Sequence, residues 1–279
     1  MPLIQRNPLW VILLAATILT LMATSSLFAA DDVTEYQVIR KQAEAGDSRA
    51  QFYIGVMYSV GIVVSQDHAE AVKWWRKAAE QGNIKAQAGL MDSYNAGQGV
   101  PQDYEEAAKW SRKAAEQGDI SCQVMLANYY RLGRGVPEDN AEAFKWFRKA
   151  AEQRDEEVQV AYGVKYRAEA QMEIGHMYGS GRGVKQDDAE AVKWLRKAAE
   201  QGQVDAMRIL GFGYLFGLGS PKDYVQSYFW YSLASSRASG DDYKEVSGGR
   251  DNAAKKLTPD QLREAQRMTR EWEKAHPRK

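Results

Sequence analysis

The sequence predicts an all-α solenoid of antiparallel helix pairs, and three observations carry that expectation. Helix-forming residues dominate, and alternating strand patterns are nearly absent. The hexapeptide KAAEQG at 77–82 returns at 113–118 and 197–202, and as KAAEQR at 149–154. Marker residues far outside the hexapeptide keep the same register. Trp74, Trp110 and Trp146 lie 36 residues apart, Trp194 follows after 48 and Trp230 after a further 36. The same offsets link Tyr58, Tyr94, Tyr130, Tyr178 and Tyr214, then Gly61, Gly97, Gly133, Gly181 and Gly217, and then Asp67, Asp103, Asp139, Asp187 and Asp223. A period of this length, sustained over five units, is the pattern of stacked supersecondary repeats.

Residues 1–30 stand apart from the array. One positive charge, Arg6, precedes the apolar run WVILLAATILTLM, which ends in ATSSLFAA before Asp31 and Asp32. A charged start, an apolar stretch and a small-residue end form the layout of a secretory signal peptide, with cleavage expected after Ala29 or Ala30. The alternative is an uncleaved anchor, because residues 10–30 number about 20, enough to span a bilayer. Residues 31–46 end in AEAG, which matches AEQG, so they read as a lone second helix capping the first full repeat.

The repeats are expected at 47–82, 83–118, 119–154, 155–202 and 203–238, the fourth carrying a 12-residue insertion. In the first, helix A covers Ser48 to Val60, with Ala50, Ile54 and Tyr58 on one face. Gly61 stops it, because glycine adopts the left-handed conformation cheaply. Asp67 caps helix B by accepting first-turn N–H bonds, and Glu70 completes a capping-box-like pair, repeated as Asp103/Glu106, Asp139/Glu142 and Asp187/Glu190. Helix B is expected to bury Ala71, Trp74 and Ala78, and the other repeated tryptophans likewise, before Gly82 ends it.

In the insertion, RDEEVQVAYGVKYRAEA supports two readings. Val158, Val160, Tyr162, Val164 and Tyr166 alternate as in a strand, whereas Val158, Tyr162, Tyr166 and Ala170 are four apart as in a helix. The helix is favoured, because a lone strand has no sheet to join. Residues 239–279 read as a C-terminal cap. Gly248-Gly249 is expected to break the chain, and Thr258 to start a last helix offering Leu262, Met268 and Trp272 for packing.

The segments AQFYIGVMYSVGIVVSQDHAEAVKWWRKAAEQG and AQMEIGHMYGSGRGVKQDDAEAVKWLRKAAEQG resemble the Sel1-like repeat family, relatives of tetratricopeptide repeats. The resemblance covers about 36–238. It implies a right-handed superhelix of antiparallel helix pairs, and a role as adaptor or scaffold, exported in many bacterial members. Function would then lie in binding another protein or peptide through the concave surface, in the periplasm or outside the cell. The alternative is a membrane-anchored organiser of an envelope assembly.

Composition narrows the classes further. The chain has 279 residues, with 37 Lys and Arg against 37 Asp and Glu, and no basic stripe that would suit nucleic acid. A monomer is expected. Its one cysteine, Cys122, occupies the position of Ala50, Ala86, Ala170 and Ala206, so it reads as a small buried residue, and no intramolecular disulfide can form. His68, His176 and His276 lack ligand spacing. The GQGVP, GRGVP and GRGVK loops are not phosphate loops. A cysteine-rich branch of the same family is associated with β-lactam binding and weak hydrolysis, but this chain lacks its cysteine pairs, and S-x-x-K and G-x-S-x-G are absent. No catalytic residue, metal or cofactor is therefore expected.

The remaining candidates are surface positions. On helix A, residues 49, 52, 56 and 59 share a second face that changes from unit to unit while the 50/54/58 face repeats. It reads Arg49, Phe52, Val56, Ser59; Lys85, Ala88, Asp92, Asn95; Ser121, Val124, Asn128, Arg131; Glu169, Met172, His176, Gly179; and Asp205, Arg208, Phe212, Leu215. In tetratricopeptide-like superhelices the equivalent face lines the peptide groove. The candidate partner contacts are Arg49, Phe52, Val56, Asp92, Asn128, Arg131, Met172, His176, Arg208 and Phe212, with Tyr162 and Tyr166 on the insertion. The competing reading is that these positions vary because nothing constrains them.

Overall fold

The structure, a computed structural model, describes residues 30–154 and 161–276. Among them are thirteen helices: α1 (Ala30–Glu44), α2 (Ser48–Val60), α3 (His68–Glu80), α4 (Ile84–Ala96), α5 (Tyr104–Glu116), α6 (Ile120–Leu132), α7 (Asn140–Ala151), α8 (Ala161–Ser180), α9 (Asp188–Glu200), α10 (Val204–Phe216), α11 (Tyr224–Arg237), α12 (Gly240–Ala254) and α13 (Pro259–Ala275). They form two compact units, Met1–Glu138 and Asp139–Lys279. In each unit, sequence neighbours pack on one another: α1 on α2 through to α6 in the first, and α7 on α8 through to α12 in the second, where α13 returns to α11. The fold is an all-α helical repeat solenoid.

Local chemistry sets the helix ends. Gly61, Gly97, Gly133 and Gly217 close α2, α4, α6 and α10 in the left-handed conformation. Asp67 accepts from the N–H groups of Ala69 and Glu70, and Asp103, Asp139 and Asp187 repeat the arrangement. The reciprocal half of the expected box does not form. The Asp67 N–H donates instead to the Tyr58 carbonyl at 2.8 Å, and Asp103 and Asp187 donate to Tyr94 and Tyr178 in the same way. Freed from the cap, Glu70, Glu106, Glu142 and Glu190 pair with Lys73, Lys109, Lys145 and Lys193 at 2.5–2.7 Å. Among the described residues a complete capping box appears only at Thr258 and Gln261, which start α13.

The second glycine of the GxG loops has a steric role. A Cβ on Gly99 would stand 2.2 Å from the His68 carbonyl oxygen of the preceding helix B, and Gly135 and Gly219 face Tyr104 and Asp188 as closely. These turns are where one repeat presses on the one before it.

The hexapeptide can now be read residue by residue. Its lysine covers the repeated indole: Lys77 lies 4.3 Å from the Trp74 ring, Lys113 4.2 Å from Trp110, Lys149 5.0 Å from Trp146 and Lys197 4.1 Å from Trp194. Each such contact is worth about 0.5–1 kcal/mol at an exposed site. Its two alanines are buried, and its glutamate is exposed in the intact copies. Its glutamine donates to a buried glutamine of the preceding helix A: Gln81 to Gln51 at 2.8 Å, Gln117 to Gln87 at 2.7 Å and Gln201 to Gln171 at 2.5 Å. That inner glutamine donates in turn to the last turn of the helix B before it, Gln51 to Ala43 O at 3.0 Å and Gln87 to Ala79 O at 3.1 Å. Buried amides left unpaired would cost about 1–3 kcal/mol each, so this ladder is what makes glutamine tolerable there.

Two expectations need correction. Trp110, Trp194 and Trp230 are buried, but Trp74 and Trp146 are only half-buried. The residue that follows each one, Trp75, Ser111, Phe147, Leu195 or Tyr231, is buried every time. At 100° per residue the face through Ala71 and Ala78 also takes in position 75, and position 74 falls at its edge. Second, Gly248-Gly249 does not break the chain, because α12 runs through both. A Cβ on Gly249 would meet the Tyr231 ring at 2.4 Å, so this glycine admits close packing. The insertion is helical from Ala161, in keeping with the favoured four-residue spacing. Residues 155–160 lie outside the described residues. Because α8 starts early, Arg167 sits inside a helix at the place where Asp47, Asn83 and Asp119 act as N-caps.

Candidate partner-binding surface

Groups able to do chemistry do not converge. Among the described residues no three His, Cys, Asp or Glu side chains are grouped to hold a metal ion. Cys122 is fully buried, and burial first, then the Asp119 and Asp92 charges, pushes its thiol well above the usual range, so it is a packing residue. His176 stands 4.0 Å from Glu173, and His276 stacks on Trp272 at 4.2 Å. Among the described residues no helix is long and apolar enough to cross a membrane. A cleft of about 550 Å³ in the second unit is lined by Glu152, Arg154, Arg167, Trp194 and Lys197. Arg167 there donates to Gln201 and to the Gln153 carbonyl, and Glu152 is held by Arg148.

The changeable face of helix A divides into three groups. Phe52 and Val56, expected as contacts, are 2% and 1% exposed, and so belong to the core of the first unit. They are removed from the candidate surface: Phe52, like Ala88 and Val124, fills the interior at the position where Met172 and Arg208 are only half-buried, and Val56 does so at the position where His176 and Phe212 are exposed. Arg49 remains exposed.

The second group is polar and lies in the first unit. Asp92, Asn95, Asn128 and Arg131 are half-buried on α4 and α6. Arg131 donates from Nη2 to Asn128 Oδ1 at 2.8 Å, and the Tyr129 hydroxyl donates to Asn95 Oδ1 at 3.1 Å. Burial, then the Asp92 charge, holds the Tyr129 phenol protonated well beyond its usual range.

A third, apolar group lies in the second unit. Phe212 is 47% and Phe216 52% exposed, and their rings lie 4.6 Å apart on α10, with Leu218 exposed beyond them. His176 is exposed on α8, and Met172 is half-buried against the core that contains Leu210 and Tyr214. Arg208 bridges Glu245 at 3.0 Å and Asp205 at 3.6 Å. Tyr166 is half-buried and engaged, and the side chain of Tyr162 lies outside the described residues. Sequence reading missed Phe216, Leu218 and the exposed Tyr243. The signal was available for Phe216: the last helix A position reads Val60, Ala96, Leu132, Ser180, Phe216, and only the final unit places an aromatic there.

Comparison with known proteins agrees with this architecture. The Sel1 repeat matches residues 48–83, 85–119, 120–155, 168–203 and 204–239, omitting 156–167. A Sel1 repeat protein of Oxalobacter formigenes is 30% identical over 97% of this chain and 99% of its own, with a TM-score of 0.69. A Sel1 repeat protein of Klebsiella pneumoniae is 25% identical over 80% of this chain and 99% of its own, with a TM-score of 0.43. The protective antigen c5321 of uropathogenic Escherichia coli, which displays an SLR fold, is 25% identical over 87% of this chain and 79% of its own, with a TM-score of 0.38. No curated protein matches the chain. With five matched repeats over more than half its length and an end-to-end relative at 30% identity, this protein belongs to the Sel1 repeat family, whose members are generally scaffolds for protein–protein interaction and typically not enzymes.

Proposed function

We propose that this protein is an exported, monomeric scaffold that engages another protein through the helix A side of its repeats. The observation that carries the reading is the exposed Phe212–Phe216 pair with Leu218, when the other large apolar side chains among the described residues are mostly buried. Solvent-exposed aromatic clusters are costly to leave bare and are typical anchors of interfaces. His176 and the half-buried Met172 carry the same side of the neighbouring helix A. The experiment compares wild type with Phe212→Ser/Phe216→Ser in a pull-down from the native envelope, alongside melting curves. Loss of a partner at unchanged melting supports the reading, and full recovery of every wild-type partner rejects this face.

Export rests on the apolar leader. An alkaline phosphatase fused at the C-terminus is expected to be active, and an inactive fusion overturns the assignment. The leader also supports the second reading, a membrane-held organiser, because its apolar run is long enough to span. N-terminal sequencing of the mature protein separates the two: a start near Asp31 means cleavage, and a retained Met1 means an anchor.

A further inference from the structure

On α1, α3, α5, α7 and α9 one arginine is followed four residues later by a glutamate. Whether the two pair depends on the residue four places before the arginine. Where that residue is aromatic, they do: Arg40 meets Glu44 at 2.9 Å with Tyr36 in that place, and Arg148 meets Glu152 at 2.8 Å with Phe144. The Phe144 ring packs edge-on against Tyr178 of the next helix A, with centroids 5.3 Å apart. Where the residue is Val72, Ala108 or Val192, the arginine donates instead to a tyrosine hydroxyl of the next helix A. Arg76 reaches Tyr94, Arg112 reaches Tyr130 and Arg196 reaches Tyr214. At the first of these junctions, between α3 and the turn after α4, a groove of about 370 Å³ opens. Ala69, Val72, Gly99 and Val100 give it an apolar lining, and Arg76 and Lys77 line it as well. The corresponding places elsewhere differ. Glu105 stands for Ala69 at the second junction, Phe144 for Val72 at the third and Ser220 for Val100 at the fourth.

We propose that this groove binds a single-chain fatty acid, its acyl chain on Ala69, Val72 and Val100 and its carboxylate on Arg76. The site is separate from the partner surface described above and does not depend on it. Three features select the ligand. A volume of about 370 Å³ is at the small end of the roughly 300–1,000 Å³ of small-molecule sites, room for one chain. Ala69, Val72, Gly99 and Val100 carry no side-chain donor or acceptor. A ligand body with amides or hydroxyls would therefore give up its water contacts without replacement, and an acyl chain gives up none. The guanidinium of Arg76 has only the neutral Tyr94 as partner among the described residues, and its planar fork matches a carboxylate. Lys77, which lies on the Trp74 ring, adds positive charge, and Lys73 is already held by Glu70. Glu80, the one carboxylate lining the groove, forms no ion pair with Arg76 or Lys77. The protein supplies its own apolar group at the equivalent place on α7, where Phe144 stands and Arg148 turns aside to a carboxylate. On α3 the small Val72 leaves both the space and the guanidinium to an outside ligand.

The test is isothermal titration of the purified protein with decanoate, kept below its micelle-forming concentration. One saturable site is expected. Decyltrimethylammonium, with the same chain and the opposite head charge, is expected to bind about tenfold more weakly. Val72→Phe installs the residue that the third repeat already carries, and Ala69→Glu installs that of the second. Each is expected to weaken decanoate about tenfold, by filling the groove or by setting a carboxylate in it. Arg76→Gln is expected to cost about tenfold, the worth of a hydrogen bond to a charged group, and to erase the preference for the anion. Ala69 is exposed, so Ala69→Glu is expected to melt as wild type and decides the matter if Val72→Phe melts early. No saturable binding, equal affinity in all three variants, or equal binding of both head groups overturns the proposal. Loss of decanoate in Phe212→Ser/Phe216→Ser alone also rejects the groove, while the scaffold reading stands.

Discussion

In the first repeat Gly55 on α2 faces Trp75 on α3, and in the second the equivalent positions hold Met91 on α4 and Ser111 on α5. All four are buried. A Cβ on Gly55 would lie 2.4 Å from the Trp75 indole, whose Nε1 donates to the Phe52 carbonyl at 3.2 Å. Ser111 instead donates to the Cys122 carbonyl at 2.9 Å. Elsewhere the pairs are Ala127 with Phe147, Gly175 with Leu195 and Gly211 with Tyr231. Within a repeat the large side chain comes from one helix or the other. What recurs is the filled volume, as close packing requires, and the residue type is free to change.

The largest expected effect is from emptying that volume. Trp75→Ala is expected to cost about 3–5 kcal/mol, the usual range for a buried aromatic. Because repeats stabilise mainly their neighbours, the loss should split or broaden the thermal transition followed by circular dichroism. An unchanged curve would remove Trp75 from the core. Next comes overfilling: Gly55→Ala is expected to cost about 1–3 kcal/mol, and much less when combined with Trp75→Leu. Equal costs in both backgrounds would mean that the glycine is kept for another reason.

The exchange itself can be tried. Ser111→Trp alone should destabilise by about 1–3 kcal/mol through crowding against Met91. Met91→Gly/Ser111→Trp, which copies the first repeat into the second, should recover part of that loss as a favourable coupling measured in a double-mutant cycle. Additive penalties would show that the two positions do not share one space. At the small end, Glu80→Ala on the exposed side of the same helix B should lie within about 0.5 kcal/mol of wild type. A larger change would mean that the repeated hexapeptide glutamate has a partner.

The candidate surface was only partly legible. The 49/52/56/59 face changes from unit to unit, and Asn95, Asn128, Arg131 and Phe212 lie at half-buried or exposed places on it. Phe52 and Val56 have the same spacing and yet are core. Helical periodicity assigns residues to a side of a helix, but it does not say whether a neighbour covers that side.

The sequence by itself determined where helices begin and end, because those signals act over one or two turns: Asp67 reaching Ala69 and Glu70, Gly61 turning left-handed, Thr258 boxed with Gln261. It also determined that the units repeat, since Trp, Tyr, Gly and Asp return in register. Tertiary structure decided the rest. Burial of Trp75 over Trp74, the glutamine ladder across 30 residues, the close approach of Gly99 to His68 and the Tyr129–Asn95 bond all join groups distant in the chain or on separate turns. Their energies depend on which surfaces meet, and one strand of sequence records the surfaces without recording the meeting.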